Sequence, residues 1–340
     1  TALCLGIGVG GALLCWRLKM PVVLAWSTPG AALLASGHFE GGYAAALGAF
    51  VLSALLMMSL GLVPALGRLA ARIPASIASA MLAGVLLPFC LALFRGVQHE
   101  AWLALPALGV FVLARQRWPG YALLLTLAVV VTLVLLQSAA APLPPHAPFG
   151  TLSPMLPSLE PRTLLGLGLP LFLVTLASQN LPGLAVLRAA GYEPPPRPLL
   201  LGTGFASLLL APFGAHSVNL AAITAAICTG DDTHPDLAQR WRVGLVYGGF
   251  YLALALFSAP LVALFLALPS AAIATIAGLA LLAPLAGALS SALAVERERE
   301  AAVLTFVATA SGLTLFGIGA AFWGLLTGFV VLAARRLLAR

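Results

Sequence analysis

Apolar stretches of about helix length follow one another along almost the whole chain, with only short polar breaks between them. That succession leaves room for little except a set of membrane-crossing helices. Of the 340 residues, 61% are apolar and 8% charged, with a mean hydropathy of +1.07, which lies outside the range of soluble globular chains. The formal charge of +7 comes from basic residues placed in ones and twos at the ends of apolar runs, not from a patch interleaved with aromatics. It therefore reports topology and speaks against a nucleic-acid partner. Cys4, Cys15, Cys90 and Cys228 are scattered through apolar segments without metal-ligand or CxxC spacing. They read as small buried thiols, and neither a metal nor a cofactor is expected. The opening residues lack a basic region followed by a cleavage site, so no signal peptide is read there.

At about 20 residues per crossing, and breaking at charges and Pro/Gly clusters, the expected spans lie near 1–16, 21–37, 41–62, 74–94, 101–115, 119–138, 163–187, 198–212, 214–229, 243–267, 270–293, 301–317 and 319–334. If these thirteen alternate in direction, all of the 17 basic residues except Arg95 and Arg162 fall on one side. The positive-inside bias then makes that side, and the C-terminus, cytoplasmic. The longest connector on the other side runs from Gln137 to Pro161. It carries Pro142, Pro144, Pro145, Pro148, Pro154 and Pro157 and no basic residue, as suits an extended extracytoplasmic segment.

Two stretches resemble each other at a constant offset of 190 residues: Ala25 to Leu34, reading AWSTPGAALL, and Ala215 to Thr224, reading AHSVNLAAIT. Each follows a proline, Pro21 or Pro212, and passes from an extended-looking stretch through a serine into a small-residue helix start, the pattern of a broken membrane helix. A second pair, Ile73-Pro74 leading to Ala83-Gly84 and Leu268-Pro269 leading to Ala277-Gly278, points the same way. With six spans between the broken segments, the two cross in opposite directions. The expected fold is thus an all-α polytopic membrane protein built as a 7+7 inverted repeat, with two discontinuous half-helix/short-strand segments. Shifting the start of the second half back by the offset places the first half's start ahead of Thr1, so a first helix of fourteen is expected to be missing from this sequence.

The broken segments are where chemistry is expected, because unpaired backbone in lipid is tolerated only around a protein-lined cavity. Half-helix N-termini at Thr28-Pro29-Gly30-Ala31 and at Ser217-Val218-Asn219-Leu220 would offer free N–H groups and partial positive charge, which suits an anion, and Trp26, Ser27 and His216 just ahead of them join the candidate binding residues. The plainer reading of Pro29-Gly30, a simple kink, loses ground to the matched second copy. A third polar cluster, Ser178-Gln179-Asn180, sits inside a span; it reads either as a binding group or as interhelical hydrogen bonding. Trp26 reads as an aromatic wall or as an interfacial anchor. His216, alone of the five histidines in a broken span, reads as a proton carrier, a donor to a carboxylate or a neutral core histidine. All ten acidic residues lie at span ends or in loops. A cation transporter would be expected to use an intramembrane carboxylate, so the substrate is expected to bring its own negative charge. An enzyme would need a nucleophile-base pair or buried ligands, and His216 has no acidic partner in a span.

The run Pro21 to Ala32, PVVLAWSTPGAA, closely resembles the signature of the benzoate/proton symporter family, BenE. Similar resemblance covers Thr175 to Gly183, the stretch from Ala221 through Cys228 to His234-Pro235-Asp236, and Glu296 to Glu300 on through Ser311 to Thr314. The resemblance implies a nucleobase-permease-like fold in which a core domain moves against a gate domain. By it, the core comprises 1–62 and 163–267, the gate 63–139 and 268–340, and 140–162 forms the extracytoplasmic Pro-rich loop. It further implies a multi-pass protein of the bacterial inner membrane that imports benzoate or a similar aromatic carboxylate with a proton. A homodimer is one assembly open to it, and an anion exchanger or nucleobase/proton permease on the same fold is the alternative. Nucleobase permeases carry acidic residues where this chain has Ser178-Gln179-Asn180 and His216 to Asn219, and that departure counts against a nucleobase.

Overall fold

A computed structural model describes residues 1–36, 41–63, 74–137, 142–221, 223–230, 233–316, 318 and 320–338. Arg68, Arg72, Asp231, Asp232, Glu40 and Arg340, which entered the charge and topology reading, lie outside these residues. Each expected span is met by a helix or by a strand running into a helix. In chain order these are α1 (Ala2–Leu18), β1 (Leu24–Trp26), α2 (Thr28–Ser36), α3 (Gly42–Leu62), α4 (Ala75–His99), α5 (Ala101–Arg117) and α6 (Ala122–Leu136). A long helix, α7, then runs from Pro161–Thr163 to Leu181–Ala189. After it come α8 (Pro196–Leu210), β2 (Val218–Leu220), α9 (Ile223–Cys228), α10 (Arg242–Leu256), α11 (Ser258–Leu266), α12 (Ser270–Leu293), α13 (Arg299–Ala310) and α14 (Ala320–Leu338).

Among the described residues, five helices are by themselves long and apolar enough to cross a membrane, with a sixth if α10 and α11 are counted as one crossing. The chain is a helical, polytopic membrane protein. Two expected spans are corrected. The stretch 243–267 is not one helix but breaks at Phe257, because Pro260 removes an N–H and its ring clashes with the carbonyl four residues back, at Leu256. The stretch 301–317 stops being helical at Ala310, where Gly312 takes a left-handed φ of 70°.

By internal contacts the chain parts into two units: Thr1–Val85 with Thr151–Leu256 and Ser291–Arg340, and Leu86–Gly150 with Phe257–Ser290. The first unit has a core around Ile7, Leu24, Leu184, Leu199, Val218 and Leu220. Its helices approach closely at small residues, the way helices associate where lipid removes the hydrophobic drive. A Cβ on Gly8 of α1 would stand 2.9 Å from the Gly248 carbonyl of α10, and one on Gly248 would stand 2.8 Å from the Gly8 carbonyl. The second unit packs α5, α6 and parts of α4 and α12 around Leu93, Leu103, Phe111, Val130 and Leu279.

In the first unit, β1 and β2 pair antiparallel, with Leu24 opposite Leu220, Ala25 opposite Asn219 and Trp26 opposite Val218. Such a short ladder is held from its flanks. The Cys15 thiol donates to the Val22 carbonyl at 3.1 Å, and Ala221 N–H donates to the Val23 carbonyl at 2.9 Å. Helix α7 widens twice into π-helix, at Leu164–Gly168 and Leu176–Asn180. Each widening ends two residues ahead of a proline, Pro170 and Pro182. The wider turn relieves the clash between the proline ring and the carbonyl four residues earlier.

Candidate functional site

The two broken segments meet at the end of the β1/β2 ladder, and there the first unit places a buried polar cluster. Ser27 closes β1 and opens α2: its Oγ accepts from Gly30 N–H at 2.9 Å and its carbonyl accepts from Ala31 N–H at 2.8 Å. This is N-capping by a serine, followed by proline in the first turn. Ser27 is fully buried, Gly30 is buried and Thr28 is exposed. The Pro29 side chain lies outside the described residues.

In the second copy the expected half-helix N-terminus at Ser217 to Leu220 is corrected. Val218 and Asn219 are strand, and helix α9 begins only at Ile223. The second copy has no counterpart to Pro29, and side chains from two other helices staple its backbone in extended form. Val218 N–H donates to Ser207 Oγ at 2.8 Å, and Leu220 N–H donates to Asn180 Oδ1 at 3.0 Å. The Ser207 hydroxyl also stands 2.8 Å from Thr203 O and 3.2 Å from Val218 O, two acceptors for its single proton.

Asn180 organises the cluster from the second π-helical turn of α7. With its oxygen committed to a backbone N–H, its amide orientation is set. Nδ2 then donates to Asn219 Oδ1 at 3.0 Å and to Thr175 O at 3.3 Å. Asn219 is oriented in turn, and its Nδ2 donates to Ser217 Oγ at 3.0 Å. Both asparagines and Ser217 are buried. Burying them is tolerable only because the amides are satisfied by one another and by backbone.

His216 lies beside this chain of bonds, 5% exposed, with Nε2 at 3.1 Å from the Ser27 carbonyl and its ring edge-on to Phe50 at 6.3 Å between centroids. A carbonyl can only accept, so Nε2 carries a proton, and in the neutral ring Nδ1 is the acceptor. Among the described residues Nδ1 makes no hydrogen bond.

These groups enclose a cavity of about 10 Å³ lined by Ser53, Met57, Thr175, Ser207, His216 and Asn219, with Ser217 and Val218 also at its wall. That is room for about one water. Of the residues singled out in the sequence, His216, Ser217, Val218 and Asn219 line it, while Ser27 and Asn180 brace it through His216 and Asn219. Ser178 turns its hydroxyl back to Val174 O at 2.6 Å, and Gln179 is half-buried. Trp26 is 52% exposed and does not line the cavity. Ser53, Met57, Phe50, Thr175 and Ser207 were not expected. A lone serine or threonine in an apolar helix carries no periodic signal, although Thr175 stands one helical turn before the Ser178 cluster and so had a hint attached.

Comparison with known proteins gives this arrangement a setting. The profile of the family described as BenE, benzoate membrane transport protein, matches residues 1–334. The chain is 42% identical over 341 aligned residues to the inner membrane protein YdcO of Escherichia coli (strain K12), covering 100% of this chain and 87% of that protein. It is 34% identical over 329 residues to the benzoate membrane transport protein of Acinetobacter baylyi (strain ATCC 33305 / BD413 / ADP1), covering 97% and 84% of the two chains. A profile match over nearly the full length, together with relatives at these identities, leads to one assignment: the chain belongs to the BenE family of membrane transport proteins, a family of transporters and not of enzymes.

Proposed function

We propose that this protein imports benzoate, or a closely related small aromatic carboxylate, together with one proton across the bacterial inner membrane, and that the His216 cavity is the polar end of its substrate site. The observation that carries this reading is a histidine-bearing polar cavity at the meeting point of two interrupted spans, in a family with a relative named for benzoate transport.

The chemistry at His216 supports the proton. A bare carboxylate needs donors, but the Ser27 carbonyl ties up the only proton of the neutral ring. A carboxylate can meet Nδ1 favourably only if one further proton lies between them, on the ring or on the substrate. An aromatic acid titrates near a glutamate side chain, about 4.3, so it is almost wholly anionic at neutral pH. Importing the anion alone against an inside-negative potential costs about 2.3 kcal/mol per 100 mV, and one cotransported proton removes that cost.

With room for about one water, the cavity has to open to admit an aromatic ring. This fits alternating access by movement of a core formed from 1–62 and 163–267 against a gate formed from 63–139 and 268–340. The inverted repeat belongs to the same proposal. The offset of 190 makes Ser27 and Ser217 equivalent, and the ladder register, carried one residue past Trp26 and Val218, sets those two serines opposite each other. A pseudo-twofold axis between the halves would pass there. The basic-residue bias places the C-terminus in the cytoplasm within this scheme.

The test is uptake of radiolabelled benzoate into proteoliposomes, with and without an inward proton gradient. Saturable accumulation that follows the gradient and collapses with an uncoupler is expected. Folded protein that takes up no benzoate discards the substrate, and uptake indifferent to the gradient discards the proton.

A further inference from the structure

A second feature lies in the other unit and owes nothing to the transport reading. The outer faces of α5 and α6 form a groove of about 550 Å³ walled by Val110, Leu113, Leu125, Val129 and Leu133. Thr132 also borders it, but its hydroxyl donates back to Ala128 O at 2.8 Å, so that wall offers no free polar group. From Val110 to Arg117 the groove follows α5 for about 10 Å, most of the depth of one leaflet's hydrocarbon. At one end, and only there, it becomes polar: Arg117 and Trp118 close it where α5 turns into α6.

Charge decides what fits. Among the described residues the Arg117 side chain makes no hydrogen bond or ion pair, and the neighbouring Arg115 lies over its own helix's Phe111 ring at 5.7 Å. No acidic residue occurs between Glu100 and Glu160, and none at all in 257–290. The occupant must therefore be apolar along most of its length and must bring its own anion to the Arg117 end. A second copy of this chain packed symmetrically would bring the same face, and so arginine toward arginine. We propose that this groove is a binding site for an anionic phospholipid, with one acyl chain along the α5/α6 walls, the phosphate on Arg117 and Trp118 at the headgroup level where indole rings settle.

The experiment uses the full chain, delipidated in neutral detergent, and compares phosphatidylglycerol with phosphatidylcholine of the same acyl chains by retention in native mass spectrometry and by thermal shift. Inorganic phosphate and Leu125→Trp serve as separate arms. Wild-type protein should retain phosphatidylglycerol about fivefold more tightly than phosphatidylcholine, the selectivity one interfacial cation supplies. Arg117→Gln should abolish that preference, and Leu125→Trp, which fills the groove, should weaken both lipids. Equal retention of the two lipids by wild-type protein, or a preference that survives Arg117→Gln, overturns the proposal. So does inorganic phosphate alone reproducing the shift, which reduces the site to an anion contact. A detergent-stable dimer that Leu125→Trp dissociates overturns it in favour of a second copy.

Discussion

In the proposed site His216 would carry the chemistry and Asn180 the scaffold, and substitutions separate the two. In His216→Gln the amide can still donate to the Ser27 carbonyl, so folding and benzoate binding should survive while proton-driven accumulation falls by tenfold or more. Accumulation unchanged from wild type would remove His216 from the proton path. Asn180→Leu acts differently. It leaves Leu220 N–H and Asn219 Oδ1 without the partners they now have, and an orphaned buried donor costs about 1–3 kcal/mol. A lowered melting temperature in detergent, with loss of uptake, is expected; an unchanged melting temperature would mean that the strand does not depend on this amide. Asn180 and Asn219 were visible in the sequence as polar residues in apolar surroundings. Their pairing was not, since they are 39 residues apart and only the fold brings them together.

At the scale of elements, the broken helix α9 is held from its far end. Arg240, 5% exposed, donates from Nη1 to Thr229 O and from Nε to His234 O, each at 2.6 Å, so its guanidinium sits at the helix C-terminus where a cation is favoured. Arg240→Ala should lower the melting temperature in detergent, since a hydrogen bond to a charged group is worth about 1.5–3 kcal/mol of stability, with Arg240→Lys recovering part of it. A melting temperature unchanged in Arg240→Ala would show that α9 is held by other contacts. The crossing of α1 and α10 is less forgiving. Gly248→Leu forces a side chain against the Gly8 carbonyl, and a monodisperse peak on fluorescence-detected chromatography should be lost. Glycines in both helices were plain in the sequence, but which pair touches depends on how the helices cross.

At the scale of the molecule, the alternation of spans makes a topological prediction. Cysteines placed at Thr151 and at Val295, both exposed, should lie on opposite faces of the membrane. An impermeant thiol reagent should label Thr151→Cys in intact cells and Val295→Cys only after permeabilisation; labelling of both in intact cells would break the scheme. The hydrophobic runs determined the membrane class and the rough limits of most helical segments, because lipid admits only stretches whose backbone satisfies itself. The placement of Pro29 and Gly30 after a serine went further, marking a helix start there. Tertiary structure alone decided that Val218 and Asn219 are strand and that Ser53, Thr175 and Ser207 join His216 around one cavity. Those outcomes rest on hydrogen bonds between residues far apart in sequence, and hydropathy, a local quantity, carries no record of such partners.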